Sequence, residues 1–276
     1  MLGSVSEAED IVQEALLRLH RTLEDGEEIE SLRAYVSTVV TRLCIDQLRS
    51  ARVRRESYVG EWLPEPLLAD ADPARHAEVA DSLSLAFLVL LESLSPVQRA
   101  VFLLREVFDY PYDEIATIVD KSEDNVRQLA VRARKRVEDG RPRFEASREQ
   151  REQLAHRFFA AAEAGDLEAL EHLLAHDVVL HGDGGGQVPA LARALHGRER
   201  VARTLVAWAR AAALSRGFAL QRAEVNGQPG AIALDHQDGL LGVVTLDVFD
   251  EHVQAVRSVV NPDKLRHLRP VNGSSQ

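Results

Sequence analysis

Residues 123–137, EDNVRQLAVRARKRV, hold five Lys/Arg in fifteen positions, and residues 49–55, RSARVRR, hold four arginines and no acid. Guanidinium groups at that density suit one chemistry above others. They neutralise phosphates along a nucleic-acid backbone, and the released counterions supply free energy. A helix dipole favours one or two arginines in a last turn, not four. The chain as a whole has the opposite sign, with 276 residues, a formal net charge of −11 and a pI near 5.4. Acid is spread while base is concentrated at two points. That excludes indiscriminate coating of nucleic acid and leaves room for local contact.

The second basic cluster sits in the sharpest motif, YDEIATIVDKSEDNVRQLAVRA. Two short helices crossing at a steep angle need a small residue at the crossing, which Ala116 supplies. They need apolar contacts, at Ile115, Val119 and Val126, and a tight turn, Asp120-Lys121-Ser122. This is a helix-turn-helix, whose second helix is presented to a DNA major groove. Many such turns carry glycine where this chain has Asp120, and aspartate tolerates the left-handed conformation better than most residues. Other chemistries have thinner support. His172 and His176 are four apart in HLLAH, a spacing that clasps a metal on a helix, but the glutamate of zinc peptidases is missing. No metal or cofactor is expected.

The elements that must position these groups follow from periodicity. A helix is predicted over 4–23, with Ser6 and Glu9 as a capping box, and a second over 31–55, separated by the acidic break 24–30. Residues 57–80 hold three prolines without a sustained period and read as a linker. Helices are predicted at 81–94, 96–108 (Ser95 as N-cap, Pro96 at the first position), 112–119 and 123–137. Two more lie in 150–175, separated at Gly165-Asp166, and another at 198–213. Strands are predicted at 177–182, 218–225, 231–237, 240–249 and 252–260, with Asp250-Glu251 a tight joint, so an α+β domain follows the helices. The single cysteine, Cys44, excludes an internal disulfide and suits a reducing cytoplasm. No apolar run spans a bilayer and no signal peptide is visible, so no membrane association is expected.

AEDIVQEALLRLHR followed by LRAYVSTVVTRLCIDQLRSARVRRE resembles region 2 of the extracytoplasmic-function sigma factors, and SPVQRAVFLLREVFDYPYDEIATIVDKSEDNVRQLAVRARKRV resembles their region 4. YVGEWLPEPL, DGGG (183–186) and NPDKL (261–265) resemble the sigma-J-like subgroup, whose members carry a SnoaL-like carboxy-terminal domain. The resemblance implies a multidomain protein: two all-α sigma domains, then an α+β SnoaL-like cone-shaped domain. Expected boundaries are region 2 over 1–57, a linker over 58–80, region 4 over 81–140, a linker over 141–152, the SnoaL-like domain over 153–270 and a tail over 271–276. Family members have a further helix before a segment like MLGSVSEAED, so the apolar side of residues 11–23 is expected to be partly uncovered.

The resemblance also implies roles. Asp10, Gln13 and Glu14 match residues that engage the β′ clamp helices of core RNA polymerase, on a face opposite the leucines, and region 4 is expected to meet the β flap. Thr41, Arg42, Asp46, Arg49 and Arg52 fall where the family reads and melts the −10 promoter element, which needs capture of an extruded base and basic groups along the strand. Asp46 is also placed to pair with Arg42 or Arg49. Ser122, Glu123, Asn125, Arg127, Gln128 and Arg132 fall where the recognition helix meets the −35 element. The carboxy-terminal domain is expected to fold back on the sigma domains as an intramolecular regulator, with the linker residues Trp62 and Pro64 seated near Asp183, Gly184, Gly185 and Gly186 and with Asn261, Pro262, Asp263 and Lys264 close by. Gln187 replaces a usual lysine and Glu61 a usual proline. The SnoaL-like fold also hosts ketosteroid isomerase and polyketide cyclases, so His181, Asp183, Asp235 and His236 could line a pocket. Without a clear acid–base constellation, a transcription factor rather than a DNA-tethered enzyme or ligand sensor is expected.

Overall fold

In the computed structural model, residues 1–56, 58–68, 84–140, 147–216, 219–237 and 239–268 are described. The chain divides into two compact units, Met1–Ser57 with Phe87–Arg141, and Tyr58–Ala86 with Pro142–Gln276. The two helical regions, expected as separate domains, thus pack as one unit. Linker residues 58–68 belong with the carboxy-terminal domain.

The first unit is all helical. Helix α1 (Val5–Glu24) is capped by Ser4, whose hydroxyl accepts from Glu7 N at 3.3 Å. The expected Ser6–Glu9 box is therefore displaced by two residues, and Ser6 lies in the first turn. Ala15 packs inward, while Val12, Leu16, Leu17 and Leu23 are about half exposed, so the leucine side is uncovered as expected. Helix α2 (Leu32–Glu56) shares a small core with the chain start through Leu2, Cys44 and Leu48. Helices α3 (Leu85–Glu92), α4 (Pro96–Glu106), α5 (Tyr112–Val119) and α6 (Glu123–Gly140) follow. Residues 81–83 of the expected 81–94 helix lie outside the described residues. Ser95 and Gln98 form a reciprocal capping box ahead of α4, with Pro96 at its start. Val126, Ala130, Ala133 and Val137 recur at helical spacing and make the buried stripe of α6, leaving its other faces to solvent.

The second unit is α+β. Ser147 and Gln150 box the start of α7 (Arg148–Ala164), and Gly165, at φ 67°, ends it. That helix starts inside the segment 141–152 expected as linker. Asp166 caps α8 (Leu167–Leu173), where Leu174 turns extended and β1 (Leu174–Asp183) begins. His176 is therefore on a strand, not on a helix with His172, and the metal-clasp spacing is lost. Then come β2 (Leu195–His196), α9 (Arg198–Arg216), β3 (Ala219–Val225), β4 (Gln228–Leu234), β5 (Leu240–Phe249), β6 (His252–Val259) and a 3-10 helix, Pro262–Leu268. The strand predicted at 231–237 lies three residues earlier.

The sheet order is β2-β1-β6-β5-β4-β3, antiparallel except for the β1–β6 pair. Asp250 and Glu251, at φ 46° and 60°, make the tight β5–β6 joint that a two-residue hairpin requires. Strand alternation sorts side chains onto two faces. Val178, Leu180, Leu246 and Val256 join Phe158, Phe159 and Leu170 in the core under the helices. His181, Asp183, Thr245 and Arg257 are out of phase with those residues and point to the other face.

Candidate nucleic-acid interface and linker latch

The helix-turn-helix is built as its spacing demands. Ile115 and Val126 are fully buried where α5 and α6 meet, and Ala116 packs against the same cluster. Asp120 adopts φ 54°, ψ 59°, the left-handed conformation the turn requires, and its N–H and that of Lys121 both donate to Ala116 O. Ser122 opens α6, accepting from Asn125 N at 3.4 Å. Ser122, Glu123, Asn125, Arg127, Gln128 and Arg132 are all exposed. Arg127 Nε donates to Glu123 Oε1 at 3.1 Å, and its guanidinium carbon lies 4.5 Å over the Tyr112 ring. Arg105 approaches that ring at 5.0 Å. Sequence reasoning did not single out Tyr112 as a partner of Arg127.

On α2 the expected −10 residues divide. Arg42, Asp46 and Arg49 are exposed, whereas Thr41 is buried. Asp46 accepts from Arg49 NH1 at 3.1 Å, one of the pairings its position allowed. Arg52 lies in the last turns of α2, where side chains fall outside the described residues. Beside these groups Arg18, Ala34, Tyr35, Thr38, Val39 and Arg42 line an open groove of about 390 Å³. An adjoining groove of about 330 Å³ shares Ala34 and Tyr35 and is bordered by Glu27, Glu28 and Ser31. On α1, Asp10 and Gln13 are exposed and Glu14 is half-buried, accepting from Arg18 at 2.7 Å. Leu16, Leu17 and Leu23 of α1 are about half exposed as well.

The linker residues converge on one carboxylate. Asp183, at the end of β1, is completely buried. Its Oδ1 accepts from Tyr58 OH at 2.5 Å and Gly185 N at 3.1 Å, and its Oδ2 accepts from Leu63 N at 2.8 Å and Lys264 Nζ at 2.5 Å. Lys264 also donates to Leu63 O, and its ammonium lies 4.1 Å over the Trp62 ring and 5.1 Å over the Tyr58 ring. A buried ion pair persists only when its remaining donors and acceptors are met, and here four donors surround one carboxylate. Burial, then the bond to Asp183, drives the Tyr58 phenol well above its ordinary pKa.

The rest of the latch packs around that pair. Asn261 Nδ2 donates to Tyr58 OH at 2.8 Å, Pro262 opens the 3-10 helix that carries Lys264, and Gln187 donates to Asp263 at 2.5 Å. Gln187 thus joins the glycine loop to the NPDKL segment despite replacing a lysine. Gly185 and Gly186 have φ of 61° and 72°; a Cβ on the first would strike the Asn261 amide, and one on the second Val59. A Cβ on Gly184 would strike Val188 O within the same loop. Pro64 and Pro66 are buried. Glu61, where a proline is usual, pairs with His181 Nδ1 at 2.8 Å. Asn226 takes Leu67 N on its amide oxygen at 2.9 Å and returns its own N–H to Leu67 O at 2.7 Å. Tyr58 and Asn226 were not among the expected site residues; Tyr58 stands in the quoted YVGEWLPEPL run, but nothing local marks Asn226.

The would-be enzymatic residues do not converge. His181 and Asp183 are committed to the linker, and Asp235 closes its own turn by accepting from Gln237 N and Gly239 N at 2.8 and 2.7 Å. Among the described residues no helix is long and apolar enough to cross a membrane, and no cluster of three or more candidate metal ligands occurs.

Family models for Sigma-70 region 2, Sigma-70 region 4 and the SnoaL-like domain match residues 1–54, 84–137 and 155–241. The chain is 38% identical over 274 residues to the ECF RNA polymerase sigma factor SigJ of Mycobacterium tuberculosis, covering 96% of this chain and 87% of the relative. It is 32% identical over 273 residues to a probable ECF sigma factor, SigI, of the same organism, covering 98% and 90%. The crystal structure of M. tuberculosis SigJ superposes with a TM-score of 0.76 at 36% identity, covering 96% and 91%. The chain belongs to the extracytoplasmic-function RNA polymerase sigma factors, those in which a SnoaL-like domain follows regions 2 and 4.

Proposed function

We propose that this sigma factor, working in the cytoplasm, is governed from within, its SnoaL-like domain holding the linker rather than catalysing a reaction. Region 2, within 1–57, meets the β′ clamp helices through Asp10, Gln13 and Glu14, and region 4, within 81–140, meets the β flap. Arg127, Gln128 and Arg132 read the −35 element from α6, with Ser122, Glu123 and Asn125 positioning the helix on the backbone. Arg42, Arg49 and Arg52 hold the strand melted at −10, assisted by Thr41 and Asp46. The groove beside Tyr35 suits an unstacked base, because an aromatic face and two guanidiniums border it.

The observation that carries the regulatory reading is the buried Asp183–Lys264 pair closed over the WLPEP segment. A linker that merely tethers has no use for a fully desolvated ion pair. Anchoring residues 58–68 removes slack between the two DNA-reading regions, so docking and release change what promoter spacing the chain can hold. The test is promoter-specific transcription with purified core polymerase, comparing the full chain with one ending near Gly140. Transcripts from a restricted promoter set, with an output that changes when the domain is removed, are expected. No transcript from any genomic promoter refutes the site assignments, and equal output from both chains refutes the regulatory role.

A further inference from the structure

We infer that Val131 reads the C5-methyl group of a thymine within the −35 element, adding an apolar contact to the polar ones of α6. The inference rests on the −35 role proposed above for that helix. Every other exposed residue described in α6 is charged or an amide, and Val131 is the one apolar side chain among them, 63% exposed. A single exposed valine is ordinary on a protein surface, so its surroundings decide what it means.

Position comes first. The buried stripe of α6 is Val126, Ala130, Ala133 and Val137. At 3.6 residues per turn, Val131 lies roughly 130° round from that stripe, with Arg127 at roughly 90° and Gln128 at roughly 190°. It therefore falls between those two in azimuth, about one turn further along the helix, and one residue before Arg132. This is the face proposed above to read bases.

Its neighbours then leave it bare. Arg127 at i−4 and Arg134 at i+3 share its ridge, and their long stems would ordinarily lie over such a side chain. Both are drawn aside. Arg127 donates to Glu123 and lies over the Tyr112 ring, while Arg134 NH2 donates to Glu106 Oε1 of α4 at 2.6 Å. The valine methyls stand between two anchored guanidiniums.

Thymine presents a C5-methyl group in the major groove, and no hydrogen-bonding side chain can satisfy it. Valine methyls bury it and gain the transfer of both surfaces from water. Cytosine in the same place carries no methyl and would leave its N4 amino group unpaired against valine. Arginine and glutamine recognise purine edges by hydrogen bonds. Val131 gives the same face a means of marking a pyrimidine.

The test uses the full chain and duplex DNA carrying the −35 sequence that the chain selects from a random library. Each thymine is replaced in turn by deoxyuridine, which lacks only the methyl. One replacement should weaken the parent about three- to fivefold, the worth of one buried methyl. Val131→Ala should bind the thymine duplex weaker by the same factor and be indifferent to that replacement, whereas Val131→Ile should keep the sensitivity. Melting curves of both variants should match the parent, because the site is exposed. A Val131→Ala chain that retains the full deoxyuridine penalty refutes the contact. A parent indifferent to every replacement, or a selected sequence without thymine, refutes it as well. Arg127→Ala judges the underlying reading separately. Equal losses on selected and random DNA would sink the −35 role of α6 and the inference with it, while a selective loss without any methyl effect sinks the inference alone.

Discussion

Lys264→Met removes an ammonium and keeps a side chain of similar length, which isolates the charge in the linker latch. In the parent that ammonium donates to Asp183 Oδ2 and Leu63 O and lies 4.1 Å over Trp62. Breaking one partner of a buried pair costs about 3–5 kcal/mol, because the other charge stays desolvated. Asp183 would keep Tyr58 OH, Leu63 N and Gly185 N as donors, which argues for the low end, about 3 kcal/mol. At about 1.4 kcal/mol per factor of ten, docking weakens by roughly two orders of magnitude. The chain holds two tryptophans, so Trp208→Phe leaves Trp62 as the sole emitter. Emission should move red and acrylamide quenching should rise in Lys264→Met. Adding Asp183→Asn should recover part of the loss, since neither charge is then left alone. If Lys264→Met leaves emission, quenching and thermal stability within about 0.5 kcal/mol of the parent, the pair does not hold the linker, and the reasoning from desolvation is wrong.

Two further outcomes follow from other parts of the molecule. Arg127→Ala should lower affinity for a −35 fragment by about 1–3 kcal/mol while scarcely changing random-sequence binding, and Tyr112→Leu should give a smaller loss of the same kind; equal losses on both DNAs, measured by fluorescence anisotropy, would demote Arg127 to a phosphate contact. In a spectrophotometric alkaline titration Tyr110 should ionise below the ordinary tyrosine range, its phenol being lowered by the hydrogen bond with Ser37 and then by Arg33, and Tyr58 well above it. A lowered folded pKa means the Tyr110 contact gains strength as pH rises from that value towards about 10, whereas the raised pKa of Tyr58 means its contribution is full below about 10 and lost above. Tyr110→Phe and Tyr58→Phe, each removing the opposite end of the titration, check the assignment.

Residues that act within a few positions of one another were legible. Ala116, Val119 and Val126 announce the helix crossing, Asp120 the left-handed turn, and Ser95-Pro96 the start of α4, because each is governed by local sterics and capping. Ser4 prevailed over Ser6 as the cap of α1 since both hydroxyls are competent and only the fold of the chain start separates them. HLLAH read as helix by composition, yet Leu174 turns extended to pair with Val253, a partner about eighty residues away. The glycine loop, Trp62 and Lys264 could be named as a group only through family resemblance. Tyr58 and Asn226 escaped notice because their partners lie about 125 and 159 residues distant, and no local pattern encodes such pairings. Packing of α2 against α5 was invisible for the same reason.

The place of β6 in the sheet has a consequence in time. It is the last strand among the described residues and yet sits between β1 and β5, and Asn261 and Lys264 follow it closely. A ribosome making about 5–20 residues per second completes α6 roughly 6–25 s before it delivers Lys264. During that interval every newborn molecule has both DNA-reading regions and a linker with no Lys264 to close over it. If the latch restrains promoter binding as proposed, the youngest copies in a cell are the least restrained, and a burst of synthesis would by itself raise the unrestrained fraction.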